Sequence, residues 1–245
     1  MVRRLRWLAL LLFLTSACVT GRRVDRLTVT GDALGGQVRE TSTGCDYSYT
    51  QEARHVGGGV GVRREDADGV VVGGLARVVS GRPIRNDEYA DSFDRRRFEL
   101  WAGGLMGGYH WDHVGVEAGI SVVRSSLSEG WIPIPALRLL VGTPRRIWFE
   151  LEGGSQDPLW YTGFVSTGIG LEDEAFRLRG GLTLYGVPTD GSDPDQGVIF
   201  AAREDLLDTG VYIDGLVRHG RFGLVAALIY GENSLGRLGF SVDFD

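Results

Sequence analysis

Apolar and polar residues alternate with a period of two along this chain from about Tyr47 to its end, and turn residues cut the alternation into short runs. Candidate strands fall at 47–63, 69–80, 96–109, 112–124, 135–142, 146–153, 163–172, 175–187, 197–204, 209–219, 221–231 and 234–244. No run carries a period of 3.6, so the pattern predicts strands and not amphipathic helices. One parity class is apolar throughout. It reads Val70, Val72, Gly74, Ala76, Val78; then Phe98, Leu100, Ala102, Gly104, Met106; then Val114, Val116, Ala118, Ile120, Val122. It continues through Leu137, Leu139, Val141; Ile147, Phe149, Leu151; Phe176, Leu178, Gly180, Leu182, Leu184; and Val211, Ile213, Gly215, Val217.

The opposite parity holds the charge: Arg77, Arg97, Glu99, Glu117, Arg138, Glu150, Glu152, Arg177, Arg179, Arg203, Asp214, Arg218, Arg237 and Asp243. Glycines such as Gly73, Gly103, Gly107, Gly115, Gly168 and Gly181 are interleaved with it. On a solvated outer surface, strand glycine forfeits backbone entropy and side-chain packing. Inside a narrow barrel it leaves room for long Arg and Glu side chains to pair across the lumen. The expected fold is therefore all-β, an antiparallel up-and-down barrel of roughly ten to twelve strands, apolar outside and polar inside. The expected lumen-lining residues are Arg77, Glu99, Glu117, Arg138, Glu150, Glu152, Arg177, Arg179, Arg203, Asp214 and Arg218. A soluble barrel with an apolar core would show the same clean apolar face, so that face alone does not choose between the two.

The last hairpin is the most specific stretch. Phe222, Leu224, Ala226, Leu228 and Tyr230 share one face, aromatic at both ends and apolar between, over the length that crosses a bilayer as a tilted strand. Arg237, Gly239, Val242 and Phe244 then resemble the C-terminal targeting signal of bacterial outer-membrane β-barrels, with Asp245 following the aromatic that usually ends the chain. That resemblance implies an outer-membrane location, with the lipid bilayer and the barrel-assembly machinery as partners.

At the other end, Arg3, Arg4 and Arg6 precede an apolar run, Trp7 to Leu14, and the small residues Thr15-Ser16-Ala17. This is the layout of an export signal, and the run is too short to span a membrane. Leu14-Thr15-Ser16-Ala17-Cys18 also resembles a bacterial lipoprotein box, which implies lipidation at Cys18. Residues 1–17 are thus expected as signal peptide, 18–46 as a polar tether and 47–245 as the barrel domain. Among 245 residues there is no lysine, and the net charge of −6 is dispersed, with no basic stripe to suit nucleic acid.

Chemistry is sparse. His110-Trp111-Asp112-His113 could suggest a metal site but reads better as a hairpin tip, and Asp190 to Asp195 lacks the closing glutamate of a calcium loop. The run Gly57 to Gly61 has no following Lys-Ser/Thr and is not a phosphate loop. No spacing selects a Ser/His pair from Ser48, Ser121, Ser166, His55 and His219. No catalytic residue, metal or cofactor is expected, and no small-molecule ligand can be named. The functional expectation is an outer-membrane barrel, as a lipoprotein, with a structural or narrow pore-like role. The alternatives are a soluble periplasmic lipoprotein barrel binding an apolar ligand, and a lipid-modifying barrel hydrolase. One feature opposes the membrane reading: counted back from a periplasmic C-terminus, the longer connections fall on the periplasmic side, the reverse of the usual asymmetry.

Overall fold

The computed structural model describes residues 25–43, 48–86, 98–126, 130–143, 146–154, 162–186, 189–190, 198–199, 208–231 and 233–244. Twelve strands close into one antiparallel barrel. They are β1 (Arg26–Thr43), β2 (Ser48–Glu65), β3 (Val70–Asn86), β4 (Phe98–His110), β5 (Val114–Ser125), β6 (Ile132–Thr143), β7 (Ile147–Gly154), β8 (Thr162–Glu172), β9 (Phe176–Gly186), β12 (Asp208–His219), β13 (Phe222–Tyr230) and β14 (Ser234–Phe244). Two short pieces, β10 (Thr189–Asp190) and β11 (Val198–Ile199), pair only with each other in the long connection between β9 and β12.

Two expectations about the strands are corrected. The stretch read as part of a polar tether supplies β1, which pairs with β14 from Leu27↔Phe244 to Gln37↔Ser234 and with β2 along its whole length. A barrel wall needs backbone donors and acceptors more than apolar side chains, so a strand rich in Thr, Gly and Asp serves once both edges are paired. In the other direction, of the run expected at 197–204 only Val198 and Ile199 lie among the described residues, and they form β11, which is not a strand of the barrel.

The same two changes remove the objection from loop lengths. The strand at 197–204 had reversed the sense of every strand before it. With β9 pairing directly to β12, the near end of the barrel, where Arg26 and Phe244 lie, carries only short turns: 66–69, 111–113, 144–146, 173–175 and 220–221. The longer connections, including 87–97, 155–161 and 187–207, all leave from the far end. This is the usual asymmetry of an outer-membrane barrel.

Near-end turns are built for tightness. In the β2–β3 turn, Asp66 accepts from the backbone N–H of Asp68 at 3.0 Å and of Val70 at 2.8 Å, while Gly69 takes φ 99°. Gly220 does the same at φ 59° between β12 and β13. These are left-handed conformations that glycine adopts without a Cβ clash.

Alternation along the strands sorts the side chains by face. Val60, Leu105, Ile120, Leu137, Leu182, Val217, Leu224 and Leu238 all lie on the outside and are exposed. Aromatic side chains mark both edges of this apolar band. Trp111, Phe222 and Phe244 lie at the near end, and Trp101, Trp131 and Tyr230 at the far end. One cross-wall detail shows how the outside is packed: Phe240 lies over Gly31 on the neighbouring strand, where an added Cβ would stand 3.2 Å from its ring.

The expected face of β4 is corrected. Leu100 and Ala102 are buried inside, at 0% and 6% exposure, and Trp101 and Leu105 face out. Both parities of this strand are apolar in sequence, so alternation does not choose between them. The register does: Leu100 pairs with Val79, itself an inward residue. Gly103 and Gly107 move to the outer face with it.

The charged lumen as candidate functional site

The far half of the interior is mainly apolar, with His55, Ser125, Ser166 and Thr183 as buried polar exceptions. Leu34, Val79, Leu100, Val123, Tyr185, Ile229 and Leu235 form one buried cluster drawn from strands around most of the wall. The Tyr185 hydroxyl donates to the carbonyl of Asn233 at the far rim.

Below it lies a belt of alternating charge. Arg77 donates to both oxygens of Asp32 at 2.6 and 2.9 Å, reaching over β2 to β1. Arg237 lies 3.9 Å from Asp32 and donates to Asp214 at 2.8 Å across β13. Asp214 also faces Arg179 at 3.5 Å, and Arg179 lies 3.7 Å from Glu150 across β8. Glu150 accepts from Arg138 at 2.7 Å, from the Trp148 indole at 3.1 Å and from the Tyr212 hydroxyl at 2.6 Å. Arg138 continues to Glu117 at 3.6 Å and approaches Glu152 at 3.9 Å. Glu117 then accepts from Arg63 at 2.7 and 3.3 Å and meets His110 Nε2 at 2.8 Å.

A second tier sits at the near mouth. Arg218 donates to Glu172 at 2.9 Å and lies 3.4 Å from Asp243. Arg26 faces the same two carboxylates at 3.6 and 3.9 Å, and the Thr28 hydroxyl donates to Asp243 at 2.6 Å. Charges this far from bulk water are costly unless paired, and the alternation supplies each with opposite neighbours.

Glycines make the geometry feasible. A Cβ on Gly170 would stand 2.0 Å from the Trp148 ring, and one on Gly168 would stand 2.2 Å from the Tyr212 hydroxyl. Both aromatic side chains therefore lie flat across the inner wall to reach Glu150.

Arg77, Glu117, Arg138, Glu150, Glu152, Arg177, Arg179, Asp214 and Arg218 are placed inside, and most of them in one network. Glu99 is corrected: it is exposed on the outer face at the far end of β4, because it shares the parity of Trp101. Arg97, Arg203 and Cys18 lie outside the described residues. Of the closing motif, Arg237 and Gly239 face the lumen, while Val242 and Phe244 face out.

Sequence reasoning missed Asp32 and Arg63 as lumen residues, the first because its strand was read as tether. Trp148 is also inside, its ring 5% exposed within the wall. Its parity with Glu150 carried the correct signal. The residues 110–113 split across the rim, with His110 inside and Trp111, Asp112 and His113 exposed. Among the described residues no group of His, Cys, Asp and Glu could hold a metal ion. Ser166, one of the serines considered for hydrolysis, shares a 2.6 Å hydrogen bond with Thr183 rather than with a histidine.

A closed antiparallel barrel with an apolar, aromatic-edged exterior and a polar, cross-paired interior has the make-up of a transmembrane β-barrel. The soluble alternative needs its apolar face inside, and here that face points out.

Two solved structures share the architecture. An outer membrane channel from Pseudomonas putida F1 matches with TM-score 0.54 at 10% identity, over 90% of this chain and 96% of that one. The translocator domain of the autotransporter NalP from Neisseria meningitidis matches with TM-score 0.51 at 11% identity, over 99% of this chain and 96% of that one. At such identities the likeness is one of fold. No family model and no curated protein matches the sequence.

Proposed function

We propose that the protein is a bacterial outer-membrane barrel with a narrow, pore-like lumen lined by arginine and glutamate and held closed by its own side chains. The observation that carries this reading is the inversion of polarity: large apolar residues such as Leu105, Leu224 and Leu238 are 70–73% exposed on the outside, while Glu117 and Glu150 are 0% and 2% exposed inside. A bilayer accommodates the first and a shielded lumen the second. A solved structure with the same architecture is an outer membrane channel.

The remaining parts of the proposal concern delivery. Residues 1–17 act as the export signal, and Cys18 is lipidated. The position of Arg26 at the near end supports this, since the few residues between can span at most about 3.3–3.6 Å each and keep a lipid beside that membrane face. Arg237, Gly239, Val242 and Phe244 form the signal read by the barrel-assembly machinery, with Val242 and Phe244 presented on the outer wall. We assign no catalytic role and no nucleic-acid partner.

Planar bilayers test the pore. The account expects a small, flickering conductance that changes in amplitude when Arg177 and Arg179 are both replaced by glutamine. No conductance before or after that change would remove the pore and leave a structural barrel.

A further inference from the structure

Between the apolar layer and the near mouth, the lumen keeps a cavity of about 220 Å³. Its charged lining is one-sided: Arg63, Arg77, Arg177, Arg218 and Arg237 against a single carboxylate, Asp32. Leu216, Val225 and Met106 complete part of the wall.

Most of these guanidiniums are committed elsewhere. Arg63 is held by Glu117 at 2.7 Å, Arg77 by Asp32 at 2.6 Å, Arg218 by Glu172 at 2.9 Å and Arg237 by Asp214 at 2.8 Å. Arg177 differs. Among the described residues its ion pair is with Asp214 alone, at 3.7 Å, and that carboxylate already serves Arg179 and Arg237. The Nε of Arg177, like those of Arg218 and Arg237, is buried with no hydrogen-bond partner, but Arg177 alone of the three lacks an ion pair closer than 3 Å. A guanidinium carries five donors in a planar fork, and leaving them unmet away from bulk water is costly.

We propose that this cavity binds a small oxyanion, the carboxylate or phosphate group of a solute, with Arg177 as its principal donor. The planar fork matches both groups in bidentate fashion. The donors that line the cavity suit a negative guest, while Leu216 and Val225 accept a short apolar body. This inference rests on the reading of a closed barrel with a polar lumen.

The test uses the full chain folded in detergent, its folding checked by heat-modifiable migration. Inorganic phosphate and butyrate are titrated separately at fixed ionic strength and followed by calorimetry. At least one should bind saturably, phosphate alone or butyrate alone identifying the group recognised. Arg177→Gln should weaken that binding tenfold or more, Arg177→Lys should weaken it less, and Arg64→Gln, on the outer face, should leave it unchanged. If Arg177→Gln does not fold, the lysine variant, which keeps the charge and loses the fork, decides alone and should bind more weakly than the parent. Folded protein that binds neither anion saturably, or binds equally well in the Arg177 variants, overturns the site. Failure of the parent chain to give a heat-modifiable form would instead overturn the barrel reading.

Discussion

At the residue scale, the interior is held by shared partners. Asp214 is the carboxylate for Arg177, Arg179 and Arg237 together. Replacing it with alanine leaves three guanidiniums facing one another, and breaking a buried pair from one side typically costs about 3–5 kcal/mol. Asp214→Ala is therefore expected to lower the urea midpoint of unfolding substantially, whereas Glu99→Gln at the outer rim should shift stability by no more than about 0.5 kcal/mol. Gly170→Ala tests the packing half of the same network. The added methyl would overlap the Trp148 ring, and relief by displacement should cost about 1–3 kcal/mol and alter indole fluorescence. Glu99 and Glu117 show what sequence can and cannot say at this scale. Both follow the alternation of their runs, but β4 is apolar on both faces between Glu99 and His110, so only its register settles which way Glu99 points, whereas β5 sets Val114, Val116, Ile120 and Val122 on one face and Glu117 on the other.

Among the elements, β1 decides closure. It supplies both the partner for β14 and Asp32 for the charge belt. A chain lacking residues 26–43 is expected to leave two edges open and to give no heat-modifiable form, which migration on unboiled gels would show. Position along a strand also has a measurable consequence. Ile213 lies mid-strand on the outer face and Val217 close to the near end. Ile213→Arg should destabilise insertion into lipid vesicles by about 2–4 kcal/mol and Val217→Arg by about 0–1 kcal/mol, because the cost of a lipid-facing charge falls towards the interface. In a soluble barrel the two positions would respond alike. The strands β6, β7, β9, β12 and β14 were legible because each keeps one face free of Asp, Glu and Arg and sets its charges on the other. β1 was not, since Thr28, Thr30 and Asp32 face a polar lumen and Gly31, Ala33 and Gly35 make a weak outer face. The run at 197–204 has the composition of a strand, and only the direct pairing of β9 with β12 excludes it from the wall.

For the whole molecule, the correction of those two strands turns the chief objection into support: with twelve strands and both ends of the wall at the near side, the short turns and long connections fall where an outer-membrane barrel has them. The far half of the lumen is filled mainly by apolar side chains and the middle by the charge belt, and the near half keeps a cavity of about 220 Å³. The general polarity of such a molecule is readable from alternation, but what fills its lumen depends on chords such as Tyr212 to Glu150 and Arg63 to Glu117, which join strands that are not neighbours. The central claim is that the apolar face meets lipid. It is tested most directly by preparing the mature chain as Cys18→Ser and comparing it in plain buffer and in detergent by size-exclusion chromatography and by migration with and without boiling. The account predicts aggregation in buffer and a single detergent-bound species whose mobility changes on heating; a monodisperse, folded protein in plain buffer would contradict it.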